Sequence, residues 1–276
     1  MMIPLLICIS AFMILNVILY LFFLYPGKGR KDLLAPFKST YIAHRGLFNK
    51  EDAPENSMEA FRRAIDAGYA IELDVHLTRD GRLAVFHDDT LQRMCGTDKH
   101  VIDLTYDELS EYRLLESGEK IPLFSEVLEE INGKVPLLIE IKTDGNVVDT
   151  AKAVDEATKD YKGVFAVQSF DPRAPYYFKK HRSEVPRGIL STKHKAKASG
   201  KSPIITIVMT NLLCNFLVRP DFIAYNYKYA DQPSFSLMRR FYKTDCAAWT
   251  VRSEKALKKA KKSFSMIIFD SFIPSK

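Results

Sequence analysis

The chain carries the stretch IELDVHLTRDGRLAVFHD at residues 71–88. Its first half alternates apolar with polar residues, which indicates a strand whose two faces meet different surroundings. Asp80-Gly81 then marks a tight turn, and a second apolar run follows it. A parallel return needs a crossover of about a dozen residues or more, so this short link predicts an antiparallel hairpin.

The hairpin is expected to bring His87 onto the face of two acidic residues. A two-residue loop would set His87 opposite Asp74, and a four-residue loop would set it opposite Glu72. Because side chains alternate between the faces of a strand, both registers put the three side chains on one face. His76 has the same parity, and we expect a structural or supporting role for it.

Short apolar runs recur along the chain and alternate with helical patterns. Such alternation indicates an α/β fold of parallel strands with crossover helices, and eight strands fit a (β/α)8 TIM barrel. A doubly wound open sheet is the alternative, but no Gly-rich phosphate loop follows the first strand. The predicted strands are residues 41–44, 71–77, 137–141, 164–168, 187–190, 222–225, 247–251 and 266–269, and the predicted helices include residues 57–67, 125–131, 147–160 and 253–262.

Two segments depart from this alternation. Residues 88–121 contain no convincing barrel strand and predict a small lobe inserted after the second strand, with Thr105 as the N-cap of a short helix. Residues 203–218 form an apolar run that is too short to span a bilayer comfortably. We favour a buried crossover helix there, and the alternative is a lid or interfacial helix that touches lipid beside the site.

The N-terminal segment is apolar and uncharged from Ile3 to Tyr25. About 20 helical residues cross the hydrocarbon core, and the basic start and small-residue cleavage site of a signal peptide are missing. We predict a single transmembrane anchor over residues 1–27, a basic juxtamembrane linker over 28–38 and the barrel over 39–276. By the positive-inside rule, the basic residues after the anchor place the barrel in the cytoplasm.

The net charge of +6 gathers in three clusters, at residues 28–31, 193–201 and 255–262. Basic clusters suit nucleic acid or the anionic surface of a membrane. No nucleic-acid-binding signature accompanies them, so we expect a lipid bilayer as partner and no nucleic acid; a solvated helix face explains the last cluster equally well. The sequence implies no protein partner. The four cysteines lack the spacing of a zinc site or a disulfide framework, which favours free thiols.

Polar residues gather at the C-terminal ends of the predicted strands, where barrel sites are built. Glu72 and Asp74 share one strand face, and Glu140 shares a neighbouring face with Lys142. Charged residues inside a barrel are costly unless they are paired or liganded, and three carboxylates are typical of a hard divalent cation site. The alternative is a pair of buried salt bridges, Glu72 with Arg45 and Glu140 with Lys142.

Two histidines, His44 and His87, would flank this acidic group. Phosphoryl chemistry needs a base for the attacking hydroxyl, an acid for the leaving alkoxide and cations beside the developing charge. Histidine serves either proton-transfer role near neutral pH, and Arg45 and Lys142 supply positive charge. No G-x-S-x-G elbow is present, which disfavours a Ser/His/Asp hydrolase.

An ordered set of motifs between Tyr41 and Pro274 resembles the glycerophosphodiester phosphodiesterase family. One tetrapeptide alone would be a weak signal, whereas the whole ordered set is specific. The set comprises His44-Arg45-Gly46, Pro54-Glu55-Asn56-Ser57, Glu72-Leu73-Asp74-Val75 with Thr78-Arg79-Asp80-Gly81, His87-Asp88, Glu140-Ile141-Lys142, Ser169-Phe170-Asp171, Trp249-Thr250-Val251 and Ile267-Ile268-Phe269-Asp270.

The resemblance implies a metal-dependent hydrolase that cleaves glycerophosphodiesters to glycerol phosphate and an alcohol. It implies a divalent ion, Ca²⁺ or Mg²⁺, on the three carboxylates. In the favoured mechanism a glycerol hydroxyl attacks phosphorus, and water then opens the cyclic phosphate. The implied site residues are His44 as base and His87 as acid, Glu72, Asp74 and Glu140 for the metal, and Arg45, Lys142, Glu55 and Trp249 for the substrate.

The chain also departs from the family pattern, which usually has Thr before the last Asp and Ser-Ser where Gln168-Ser169 stands. These departures and the apolar run bear on substrate choice. Three functions therefore stay open: a glycerophosphodiesterase, a lysophospholipase D-type enzyme that acts at the membrane, and a non-catalytic binder of phosphodiester head groups.

Overall fold

The structure, a computed structural model, describes residues 2–27, 30–193 and 202–275. Its strands are β1 Ile42–His44, β2 Ala70–Leu77, β3 Leu83–Val85, β4 Leu137–Ile141, β5 Phe165–Ser169, β6 Arg187–Ser191, β7 Phe222–Asn226, β8 Asp245–Val251 and β9 Met266–Phe269. Within the described residues, eight parallel strands pair in the order β1-β2-β4-β5-β6-β7-β8-β9, and β9 pairs with β1. The sheet therefore closes into a barrel, which confirms the predicted α/β fold.

Helices surround the strands on the outside of the barrel, and α2 lies at its N-terminal end. The described helices are α1 Met2–Leu24, α2 Lys31–Lys38, α3 Met58–Asp66, α4 Gln92–Cys95, α5 Tyr106–Ser110, α6 Phe124–Ile131, α7 Val147–Ala157, α8 Arg173–His181, α9 Pro203–Thr210, α10 Asn215–Val218, α11 Pro233–Phe241 and α12 Glu254–Ala260, with 3₁₀ turns at Val101–Asp103 and Tyr227–Tyr229. The four predicted helices appear as α3, α6, α7 and α12. Ser57 and Ser253 cap α3 and α12, since each side chain accepts a backbone N–H three residues later.

The barrel interior is filled from its N-terminal end by α2. Leu34 and Phe37 are buried among inward-facing residues of the strands. Gly188 on β6 faces the same interior, where a Cβ would come within 2.3 Å of the Phe222 ring, so only glycine leaves room for that ring. The segment predicted as a linker is therefore helical from Lys31 onward and forms part of the barrel core.

Replacing Leu34 by Ala should lower the free energy of unfolding by about 3 kcal/mol, because the side chain is 1% exposed and its loss leaves a cavity between α2 and the strands. The adjacent Leu33 is 43% exposed, and Leu33→Ala is the matched control, with an expected change under about 1 kcal/mol. Thermal or denaturant unfolding of the purified variants measures both. Equal effects of the two substitutions would contradict the packing of α2 inside the barrel.

The β2–β3 hairpin has a register that differs from both predicted ones. Val75 pairs with Val85, which gives His87 the parity of Leu73 and not that of Asp74. The loop has three residues, and Gly81 closes it in the left-handed region, at φ 78°. Such a three-residue loop with a terminal left-handed glycine is a common hairpin connection. The parity argument for His87 is therefore wrong.

The residues between β3 and α6 pack around a small apolar core of their own, which includes Met94, Leu109 and Ile121. The predicted N-cap is present: Thr105 accepts a hydrogen bond from the backbone of Glu108, whose side chain bonds back to the Thr105 N–H. This reciprocal pair is a capping box. The predicted insertion thus has its own packing beside the second strand.

The apolar run 203–218 is not one buried crossover helix. It divides into α9 and α10, and only part of it is buried. Val218 and Met209 are buried, whereas Ile204, Ile205 and Ile207 of α9 are 75%, 49% and 57% exposed. The favoured prediction is therefore wrong for α9.

In the described part of the chain, one helix is long and apolar enough to cross a membrane, over Ile3–Leu24. The most apolar 18 residues of this helix have no buried residue. Of the predicted basic clusters 28–31 and 193–201, residues 28–29 and 194–201 lie outside the described residues. The third cluster lies on α12 and the turn after it, where the lysines are exposed.

Candidate active site

The inward-facing side chains change from apolar to polar along the strands. Residues such as Ile42, Ala70 and Leu138 fill the N-terminal half of the interior. Two residues further along the same strands, the same face carries His44, Glu72 and Glu140. These residues line one cavity at the C-terminal end of the barrel, together with Arg45, His87, Gln168, Phe170, Leu190, Asn226, Tyr227, Lys228, Trp249, Thr250, Arg252 and Ile268.

Three buried carboxylates meet at this end. Backbone register sets Glu72 beside His44 and Asp74 beside Glu140 on adjacent strands. Carboxylate oxygens of Glu72, Asp74 and Glu140 lie within 4.8 Å of one another. Burial raises the pKa of Glu72 well above its usual value, and the negative charges of Asp74 and Glu140 raise it further. The charges of Arg45 and Lys142 act in the opposite direction and offset this rise only in part.

Two cations sit against the other carboxylates. Lys142 Nζ lies 2.9 Å from Glu140 and 3.4 Å from Asp74, and Arg45 Nε lies 3.3 Å from Asp74. Burial alone would raise the pKa of Asp74, but the charges of Lys142 and Arg45 lower it below its usual range. Glu72 accepts a hydrogen bond from the backbone N–H of Arg45 at 3.2 Å and one from the side-chain amide N–H of Gln168 at 3.3 Å. The predicted Glu140–Lys142 pair exists, while the Arg45 guanidinium pairs with Asp74 and not with Glu72.

The donor set fits a divalent cation. Three acidic side chains offer hard oxygen ligands, and with two nearby cations the five groups carry one excess negative charge when all are ionised. Glu72, Asp74 and Glu140 would therefore hold the ion that the resemblance implies.

His44 is oriented by a carboxylate that sequence reasoning did not assign. Its Nδ1 lies 2.8 Å from Asp270 Oδ2, and Arg252 donates to both oxygens of Asp270 at 2.7 and 3.0 Å. Burial lowers the pKa of His44, and the hydrogen bond to Asp270 offsets this only in part. His44 is therefore neutral near pH 7, with its Nδ1–H directed to Asp270 and its Nε2 lone pair available.

His87 has a matching arrangement. Its Nδ1 lies 2.6 Å from Asp88 Oδ1, and Arg93 of the inserted lobe donates to Asp88 Oδ2 at 2.6 Å. Arg93 also bonds Glu55, which in turn accepts a 2.7 Å bond from Arg45. A chain of charged pairs thus links the lobe to the barrel end and positions His87.

His87 reaches the cavity because the chain leaves the strand geometry after Val85. The last ladder bond runs from Phe86 N to Asp74 O at 3.0 Å. Beyond it, His76 Nε2 lies 3.2 Å from the His87 carbonyl. Burial and the charge of Lys142 lower the pKa of His76 to about 4, so its ring is neutral and supports the turn that carries His87.

The structure brings most of the predicted site residues to the cavity wall and leaves three just behind it. Trp249 lies on the wall against Phe170, with ring centroids 5.6 Å apart. Its indole N–H and the side-chain oxygen of Gln168 are both buried and have no hydrogen-bond partner among the described residues. Asp74, Lys142 and Glu55 contact wall residues from behind. Asp88, Asp270 and Asn56, which bonds Asp74 at 2.9 Å, stand in the quoted motifs but received no predicted role.

The closed barrel with a polar cavity at its C-terminal end places this protein among the TIM-barrel enzymes. The chain belongs to the glycerophosphoryl diester phosphodiesterase family, whose sequence model matches residues 44–270.

Individual relatives agree with this assignment. A glycerophosphodiester phosphodiesterase of Caldanaerobacter subterraneus is 41% identical over 114 residues, which cover 38% of this chain and 46% of that protein. The lysophospholipase D GDPD1 of Mus musculus is 34% identical over 156 residues, which cover 52% of this chain and 48% of that protein. These matches therefore span about half of the relatives' length. The crystal structure of a glycerophosphodiester phosphodiesterase from Parabacteroides distasonis has a TM-score of 0.66 and 25% identity, and the match covers 83% of this chain and 92% of that one.

Proposed function

We propose that this protein hydrolyses glycerophosphodiesters to glycerol phosphate and an alcohol. One observation carries the proposal: two histidines, each with its Nδ1 held by a carboxylate, line the same cavity as the buried acidic group. That arrangement supplies two imidazole nitrogens for proton transfer on either side of a bound phosphodiester. Family membership supports the substrate class.

His44 acts as the base and His87 as the acid. Because Asp270 fixes the His44 Nδ1–H, Nε2 accepts the proton of the attacking glycerol hydroxyl. The oxygen then attacks phosphorus, and His87 protonates the departing alkoxide to give the alcohol and a cyclic phosphate. Water opens the cyclic phosphate with the two roles reversed, which regenerates both side chains.

Glu72, Asp74 and Glu140 would hold a divalent ion, Ca²⁺ or Mg²⁺, which would neutralise charge on the phosphoryl oxygens. Arg45 on the cavity wall, with Lys142 behind it, offsets part of the negative charge of the three carboxylates. Trp249 offers an apolar ring surface to the substrate from the cavity wall. Glu55 acts on the substrate indirectly, through the position of Arg45.

The test is hydrolysis of glycerophosphocholine by the purified full-length protein, followed as release of glycerol 3-phosphate and choline. We expect turnover with Ca²⁺ or Mg²⁺ present. Release of phosphocholine in place of choline would mean that the other ester bond is cleaved. Binding of the diester without any hydrolysis would favour the non-catalytic head-group binder.

Lysophospholipids are the second candidate substrate. The similarity to a mouse protein named as a lysophospholipase D and the exposed apolar helix α9 favour it. Hydrolysis of lysophosphatidylcholine and of glycerophosphocholine, measured side by side, ranks the two substrates.

We also propose that α1 anchors the protein in a membrane with the barrel on the cytoplasmic side. Residues 3–19 are exposed along their whole length, and Lys28, Arg30 and Lys31 follow the apolar stretch. Carbonate extraction of membranes and protease protection of the barrel test the anchor and its side. The proposed domain bounds are 1–27 for the anchor and 39–276 for the barrel, with α2 of the predicted linker packed into the barrel interior.

Asp270 is proposed as the residue that positions His44. Asp270→Asn should lower kcat at least about tenfold, because loss of a carboxylate that orients a histidine costs about tenfold to a hundredfold at metal sites and about 10⁴-fold at a catalytic base. Because Asp270 raises the pKa of His44, its neutralisation should also move the acidic limb of the pH–rate profile to lower pH. Asp171→Asn, a substitution of another carboxylate just after a barrel strand, is the control. An unchanged profile in Asp270→Asn would leave Asp270 with a purely structural role.

A further inference from the structure

The last turns of α1 lie against the side of the barrel, and their contacts define a direction. Tyr20 lies next to Ser234, at the start of α11, whereas the Tyr25 ring lies 5.5 Å from that of Tyr242, just past the end of α11. Further along, Gly27 N bonds Pro220 O at 3.0 Å. The last turns of α1 therefore run beside α11 in the same direction, from the first residues of α11 to its last.

The two ends of α11 correspond to the two ends of the barrel. The start of α11 follows the loop whose Tyr227 and Lys228 line the catalytic cavity. Pro220 lies just before β7, and Arg30 pairs with Asp221 there at 2.6 Å, at the opposite end. Going backward along the chain, α1 thus passes the catalytic end at about Tyr20 and continues beyond it.

The part of α1 beyond this point is the exposed part. Residues 3–19 extend about 25 Å at 1.5 Å per residue, close to the roughly 30 Å thickness of a hydrocarbon core. Tyr20 then falls where tyrosines concentrate, at the membrane–water boundary. A bilayer around the exposed part of α1 would have its surface beside the catalytic end.

The exposed apolar face of α9 lies at the same end. Ser191, the last residue of β6, donates to Met209 O in α9 at 2.8 Å, and Gln232 before α11 donates to Asn211 after α9 at 3.5 Å. Ile204 and its neighbours therefore project from the catalytic rim, close to the level at which α1 leaves the barrel. Such an apolar helix face in contact with a bilayer is removed from water, whereas α9 alone leaves it exposed.

We propose that a lipid bilayer covers the catalytic end of the barrel, with α9 in its interface, so that the site takes phosphodiesters from the membrane surface. The substrate part of this inference rests on the proposed hydrolase function. The polar cavity accepts the glycerophosphodiester group, and an acyl chain stays outside it, on the α9 side. Lysophospholipids then become the substrate class that this geometry suits.

The orientation is tested without reference to activity. The full-length protein is placed in vesicles of brominated phosphatidylcholine, whose bromine atoms quench nearby tryptophan. Ile204→Trp and Ile207→Trp should show strong quenching of their added emission. Phe241→Trp is the matched control, because Phe241 is 62% exposed but lies at the last turn of α11, near the opposite end. Wild-type protein, with its single tryptophan Trp249, gives the baseline.

Quenching at Phe241→Trp and not at the two isoleucine positions would place the bilayer at the opposite end and overturn the proposal. Quenching at none of the three would mean that the barrel stands away from the surface, which overturns it equally. Neither result depends on turnover, so a failure here is distinct from a failure of the proposed hydrolase function.

The substrate part has its own test. Ile204→Ser with Ile207→Ser should reduce hydrolysis of lysophosphatidylcholine in phosphatidylcholine vesicles several-fold and leave hydrolysis of dissolved glycerophosphocholine unchanged. An equal loss on both substrates, or a loss on neither, would contradict delivery of the substrate from the membrane surface.

Discussion

His44→Ala should lower kcat for glycerophosphocholine by about 10²–10⁴-fold, the contribution of a positioned general base, with little change in stability. The imidazole is held by Asp270 on one side and opens to the cavity on the other, so alanine removes the proton acceptor. His87→Ala should cause a loss of similar size, because the choline alkoxide leaves poorly without a proton. Initial rates and thermal unfolding of both variants measure these effects.

A change of leaving group separates the two roles. The nitrophenyl ester of glycerol phosphate releases nitrophenolate, which needs no acid, so His87→Ala should recover much of its activity on it and His44→Ala should not. His181→Ala is the control, since His181 is an exposed residue at the end of α8. If His44→Ala recovered activity on the nitrophenyl ester and His87→Ala did not, the two assignments would be exchanged. If either variant hydrolysed glycerophosphocholine at a near-wild-type rate, that histidine would have no part in the mechanism.

The barrel could be predicted because its signals are local. Each strand is a short apolar run, and each of the four predicted helices has its own periodicity, so the elements appear within a few residues of their predicted bounds. The row of polar residues at the strand ends follows from the same alternation. Glu72, Asp74 and Glu140 share a face because strand parity and parallel pairing require it.

The hairpin register could not be predicted in the same way. Two-, three- and four-residue loops all fit Thr78-Arg79-Asp80-Gly81-Arg82, and the choice depends on which residue takes the left-handed conformation. Gly81 takes it, which makes a three-residue loop and reverses the parity expected for His87. His87 still lines the cavity, because β3 stops at Val85 and tertiary contacts, such as that from His76, redirect the chain.

Contacts between distant segments account for most of the remaining surprises. Asp270 meets His44 across 226 residues, and Arg93 of the lobe joins Glu55 and Asp88. Parity places Asp270 at the end of the last strand, but its partner depends on barrel closure, which brings β9 beside β1. The burial of Leu34 and the docking of α1 likewise depend on three-dimensional packing that periodicity does not encode.

Glu72→Gln should abolish the response of the protein to Ca²⁺ or Mg²⁺ and lower kcat/KM roughly 10²–10³-fold, because a bound metal contributes several kcal/mol of charge stabilisation. Without metal, the same substitution should leave the melting temperature unchanged or raise it. The folded state raises the pKa of Glu72, so above pH 4.5, its ordinary value, the ionised carboxylate opposes folding, and the neutral amide removes that cost.

Thermal unfolding with EDTA and with added metal decides between a metal site and a set of salt bridges. Wild-type protein in metal at about 100 times Kd should gain about 2.7 kcal/mol of stability, and Glu72→Gln should gain almost none. Glu111→Gln, an exposed substitution in the lobe, should behave as wild type. If Glu72 instead served to neutralise a cation, Glu72→Gln would lower the melting temperature in EDTA, and neither protein would respond to metal. That result would mean that Glu72 is a structural salt-bridge partner and that the three carboxylates do not bind a metal ion.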